Sequence, residues 1–177
     1  MTANIILIIF CCLMIWAAIS DVRYFILSNR LCISVALLYP IFLAALYLDG
    51  FQVTLESIGW SIGISILIFS FLVFLFARGY IGGGDVKLIP AIALWAGPSR
   101  ILEFILITTI CGGLLALLII SFRYLKNYIS LHKSSEKINF SMSESAESDH
   151  EENNIPYGVG ISIGGLYIAY QLFQALN

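Results

Sequence analysis

The chain has 177 residues, 60% of them hydrophobic and 11% charged, with 9 Lys+Arg against 11 Asp+Glu and a formal net charge of −2. Charged residues make up about a quarter of an ordinary soluble domain, so this composition excludes a soluble globular protein and indicates an integral membrane protein. The length suits one helical bundle, residues 1–177 reading as a single membrane-embedded domain, and no basic patch points to nucleic acid.

The first apolar run, roughly 4–20, ends at Asp21. No basic residue precedes it in Met1-Thr2-Ala3-Asn4, while Arg23 and Arg30 follow it, so it reads as a retained helix with its N-terminus outside rather than a cleaved signal. Further runs cover roughly 31–48, with a kink predicted at Pro40, then 54–77, 86–97, 101–122 and 156–175. These predict an all-α bundle of six transmembrane helices. Alternation places Arg23, Arg30, Arg78, Lys87, Arg123, Lys126, Lys133 and Lys137 on one side and leaves Arg100 on the other. The crowded side is the cytoplasmic one.

The fourth run is short, about twelve residues or about 18 Å of helix against about 30 Å of hydrocarbon. The Gly82-Gly83-Gly84 segment before it is therefore predicted to dip into the membrane, sheltered by protein, its glycines supplying positive φ and close backbone approach. A flexible acidic cytoplasmic linker is expected at about 126–155, with six Asp and Glu between 133 and 155. It is read first as a tether, and alternatively as an attractor for a basic substrate segment. Pro156 suits the N1 position of the last helix.

Asp21 and Asp85 fall on the same side of the bilayer, because two crossings separate them. Ionisable groups near membrane depth are costly, so a pair that can meet there marks a functional site. Two carboxylates in one pocket suit water-driven cleavage, one taking a proton from water and the other polarising a carbonyl. Helix dipoles favour the anion for Asp85, at a helix N-terminus that it also caps, and the protonated form for Asp21 at a helix C-terminus. A rival reading is a small membrane transporter or an assembly scaffold using the pair to bind ions, but the internal repeats expected of a transporter are not found.

Other chemistries fit poorly. Gly160-Ile161-Ser162-Ile163-Gly164 has the letters of a nucleophile elbow inside a hydrophobic helix, and His132 and His150 lie in the polar linker. Gly160 and Gly164, like Gly59 and Gly63, read as surfaces where helices approach closely. Cys11, Cys12, Cys32 and Cys111 form no CxxC pair, so neither metal nor cofactor is expected. Lys87 either pairs with a carboxylate or anchors its helix at the interface.

Asp21 followed by Leu27-Ser28-Asn29, then Gly82-Gly83-Gly84-Asp85 with Lys87, and late Pro156-Tyr157-Gly158, resemble the type IV prepilin peptidases, GxGD intramembrane aspartic proteases. The short form associated with Flp or tight-adherence pili is the closer likeness. The resemblance implies Asp21 and Asp85 as the catalytic pair, with Asn29, Gly82, Gly84, Lys87, Pro156, Tyr157 and Gly158 shaping the site. It implies prepilin or pseudopilin precursors as substrates, cut on the cytoplasmic side after a glycine ending a short charged leader, in the bacterial inner (cytoplasmic) membrane. Ser28 stands where proline is common, and the cysteine-rich segment that accompanies N-methylation in long members is missing, so protease activity is expected without the methyltransferase.

Overall fold

In hydrocarbon a backbone must satisfy its own polar groups, so each apolar run folds as a helix. The computed structural model describes residues 1–25, 27–134 and 156–176. Its elements are α1 (Thr2–Tyr24), α2 (Asn29–Leu48), α3 (Leu55–Ala77), α4 (Asp85–Ser134) and α5 (Tyr157–Leu176), with no strand among the described residues. All five are long and apolar enough to cross a membrane, which makes this a multi-pass membrane protein. Residues 135–155, with the acidic part of the expected linker, lie outside the described residues, whereas α4 carries the backbone as far as Ser134.

The fourth and fifth apolar runs both lie in α4, which is interrupted at Gly97 (φ 60, ψ −175) just before Pro98. Positive φ suits glycine, and proline supplies no N–H to continue the ladder. The chain doubles back there: Asp85 and Ile89 of the first arm line one cavity with Thr108, Gly112 and Gly113 of the second. The first arm is short because it is the centre of the bundle. Leu88, Ile92 and Ala93 are fully buried in it, and α4 touches α2, α3 and α5. A helix apolar on every side belongs in such a place.

Trp95, near the end of that arm, ties the bundle together. Its ring lies 4.3 Å from Phe10 of α1 and 5.0 Å from Phe42 of α2, and Tyr39 meets it edge-on at 5.8 Å. Its indole N–H donates to the Val35 carbonyl at 3.1 Å. Burying the ring with its one donor satisfied makes this cluster a rigid floor at the end remote from Asp21.

The buried residues of α1 form one stripe, Ala3, Leu7, Phe10, Met14, Ala17 and Asp21. Spacings of three and four keep all six on one face, so Asp21 is the last member of a core stripe rather than an interfacial residue. At the opposite end of α1, Asp49 accepts from the N–H of Ala3 at 3.0 Å and from the N-terminal ammonium at 2.9 Å. Neither donor has a partner within its own helix, and together they hold the Asp49 carboxyl well below the usual carboxylate range.

Close packing through glycine occurs in α5 but not in α3. A Cβ on Gly160 would lie 2.8 Å from the Gly112 backbone, and one on Gly165 2.7 Å from the Met14 sulfur. Around Gly59 and Gly63 a Cβ would meet nothing within 4 Å. The expectation for that second pair is corrected: among the described residues α3 packs against α4 and no other helix, and it does so through Ser61, Ser65 and Leu72. Ser65 donates to the Pro90 carbonyl at 2.8 Å in that interface.

Candidate active site

Three chain segments meet at the end of the bundle opposite Asp49. The first is the turn between α1 and α2. Phe25 takes the left-handed conformation (φ 51), its N–H bonding back to the Asp21 carbonyl, and the chain then lays Leu27 against the second segment, the loop of residues 78–84. A Cβ on Gly84 would lie 2.8 Å from the Leu27 Cβ, so glycine is required there for contact. The expectation of positive φ in the glycine run is corrected: Gly82, Gly83 and Gly84 are absent from the positive-φ residues, where Gly79 appears instead. Two residues beyond Asp85, the Lys87 ammonium donates to Asn29 Oδ1 at 2.7 Å. Lys87 thus pairs with an amide rather than with the carboxylate that was one of its two alternatives. Leu27 on Gly84 and Asn29 on Lys87 form two clasps joining the regions that carry the aspartates.

The third segment is the start of α5. The helix begins at Tyr157, so Pro156 precedes it by one residue instead of holding its first position. Its first turn presents the N–H groups of Gly158 and Val159 to the Asp21 carboxylate. The approach is close enough that a Cβ on Gly158 would fall 2.7 Å from both Cγ and Oδ2 of Asp21. Asp21 is 6% exposed, and its Oδ2 is buried with no hydrogen-bond partner. A helix N-terminus aimed at a carboxylate stabilises the anion. The α5 N-terminus thus works against the protonated form expected for Asp21 from the α1 dipole, while burial of the carboxyl works for it.

Asp85 opens α4, and its Oδ2 lies 3.6 Å from the Cβ position of Gly82. It shares a cavity of about 430 Å³ with Tyr157, the neighbour of the glycine that abuts Asp21. The two carboxylates thus flank the first turn of α5, and Asp85 feels the charge of Asp21.

A family model, the type IV leader peptidase family, matches residues 8–117, more than half of the chain. The chain belongs to that family. It is accordingly a protease, with a prepilin leader peptidase role in the general sense of the family. The match takes in Asp21, Asn29 and the segment from Gly82 to Lys87 and ends before α5. No curated protein and no solved structure matches the chain.

Of the residues singled out from the sequence, Asp21, Asp85, Gly82, Tyr157 and Gly158 come together, while Pro156 stands one step behind. Asn29 and Lys87 pair on an exposed face beside the site, lining a different cavity together with Cys32 and Pro90. Val159 and Leu27 were not foreseen as site-forming; the first acts through its backbone and the second through a contact with glycine, and neither leaves a mark in side-chain chemistry. Ser162 is buried within α5, its hydroxyl donating to the Gly158 carbonyl at 2.7 Å. Among the described residues no three His, Cys, Asp or Glu side chains gather as a metal site would require.

Proposed function

We propose that the protein is an aspartic endopeptidase of the bacterial inner membrane that removes the short leader from Flp-like type IV prepilins at the cytoplasmic face. The observation that carries this is the convergence of Asp21 and Asp85 on the first turn of α5. Asp21, ionised and held by the Gly158 and Val159 amides, takes a proton from water; the hydroxide equivalent adds to the scissile carbonyl carbon. Asp85, protonated, donates a hydrogen bond and then its proton to the carbonyl oxygen. The tetrahedral intermediate returns that proton to Asp85, the C–N bond breaks, and the proton on Asp21 leaves with the new amine. Water attacks directly, so no acyl-enzyme forms.

The same reading gives six crossings, the two arms of α4 serving as the fourth and fifth, with the N-terminus outside and the aspartates at the cytoplasmic end where Lys and Arg concentrate. A glycine loop below the membrane surface is supported by depth. Asp85 lies level with Gly112 and Gly113, whereas the apolar run of that arm continues to Phe122, about ten residues or roughly 15 Å farther. Irregular backbone at that depth must be lodged in protein, as the contacts of Leu27 with Gly84 and of Phe76 with Gly83 provide.

Co-expression with a candidate prepilin tests the proposal. A downward mobility shift is expected with the unsubstituted chain and none with Asp21→Asn or Asp85→Asn, both of which should remain folded. Substantial cleavage by either variant rules out the two-carboxylate mechanism.

A further inference from the structure

Two of the cavities beside the first arm of α4 differ in what they reach. The larger, about 500 Å³, lies between α2 and α3, and neither aspartate lines it. Lys87 and Asn29, bonded to each other, line it as well. The other, about 430 Å³, has Asp85 and the Tyr80-Ile81-Gly82 turn on its wall together with Ile89, Ile161 and the Gly112-Gly113 pair.

We infer that this second cavity receives the first turns of the substrate's membrane helix, immediately beyond the bond that is cut; the inference rests on the protease reading above. The surface changes from a carboxylate to the apolar Ile89 one helical turn deeper. A precursor changes in the same sense, from a polar leader to an apolar helix, so its cut site falls at Asp85 when the helix occupies the deeper part. On the wall formed by the second arm of α4, the Gly112-Gly113 pair beyond Thr108 and Thr109 carries no side chains. A Cβ on Gly112 or Gly113 would meet nothing within 4 Å, although a Cβ on Gly160 of α5 would strike Gly112 at 2.8 Å. The glycine pair therefore serves α5 on one side and leaves bare backbone on the other, and bare backbone lets a second helix approach closely enough for dispersion to hold it in lipid. The larger cavity offers apolar surface without access to either carboxylate, so a helix lodged there would not present its bond to them.

Crosslinking in lipid vesicles tests this without relying on turnover. The probe is a synthetic precursor with a short charged leader ending in glycine and an apolar helix carrying one cysteine in its second turn. The protein carries Asp85→Asn, with Cys11, Cys12, Cys32 and Cys111 replaced by alanine and one new cysteine. Thr109→Cys, on the proposed lane, should crosslink to the probe and Phe69→Cys, in the other cavity, should not; crosslinking through position 69, or through neither, overturns the inference. In the otherwise unsubstituted chain, Gly113→Leu fills the lane and should lower kcat/KM for the precursor on the order of tenfold to a hundredfold. A rate within about twofold of the unsubstituted chain refutes the lane while leaving the protease reading intact. That reading fails separately, if the unsubstituted chain leaves the precursor whole.

Discussion

The contact between Gly158 and Asp21 makes the sharpest demand on the proposed chemistry. In Gly158→Ala the new Cβ would stand 2.7 Å from Cγ and Oδ2 of Asp21, whereas ordinary contact begins at 3.4 Å. Asp21 and α5 must separate by the difference, 3.4 − 2.7 = 0.7 Å, unless the carboxylate rotates away from its amide donors. Displacements near 1 Å cost on the order of a hundredfold in rate, so kcat should fall about tenfold to a hundredfold. The loss should appear in kcat with KM little changed, because the amides act on the ion that takes the proton rather than on substrate binding. The fold should not suffer from the backbone change, since alanine exceeds glycine in helix propensity by up to about 1 kcal/mol. Cleavage of a purified precursor, followed by gel mobility in lipid vesicles, measures both constants. Gly63→Ala, whose Cβ meets nothing, is the matched control and should cleave normally. Normal kinetics in Gly158→Ala would show that the first turn of α5 does not hold the reacting carboxylate.

Three further outcomes follow from the packing. Trp95→Ala removes the ring shared by Phe10, Tyr39 and Phe42 and should cost about 3–5 kcal/mol, read by denaturant titration in detergent micelles; a loss below about 1 kcal/mol would mean the cluster is not the bundle's anchor. Asp49 is held below its usual range by the Ala3 amide and the N-terminal ammonium. Its contribution is therefore complete above the unfolded value near pH 4 and fades as pH falls below it, so acid should lower the melting temperature of the unsubstituted chain more than that of Asp49→Asn. The exposed Lys87 and Asn29 pair should show a coupling below about 1 kcal/mol in a double-mutant cycle on stability. A larger coupling would assign the clasp a structural weight that its exposure argues against.

Much of the site was legible before the tertiary structure because it depended on order and parity. Counting apolar runs was enough to bring Asp21 and Asp85 to one end, and the Asp21, Leu27-Ser28-Asn29 and Gly82-Gly83-Gly84-Asp85 patterns pointed to the family that matches residues 8–117. Where the reading went astray, a contact between distant segments intervened. Gly59 and Gly63 have the same spacing as Gly160 and Gly164, but α3 turns its pair away from every neighbour while α5 turns its pair into Thr108, Phe104 and Gly112. Of the two alternatives for Lys87, pairing with the Asp85 carboxylate two residues away gave way to an amide 58 positions away, a contact that leaves the interface anchor standing.

The sequence by itself determined that the chain lies in a membrane, which stretches are helical, and that two acids share an end, since hydropathy, length and parity are properties of the chain alone. Tertiary structure decided which face of each helix is inside and that α5 offers its N-terminal amides to Asp21. The physical reason is the solvent. In water the buried face of a helix differs from the exposed one, and the period of apolar residues reveals it; in lipid both faces are apolar, and close packing with the partnering of backbone groups, rather than hydropathy, selects the inner face.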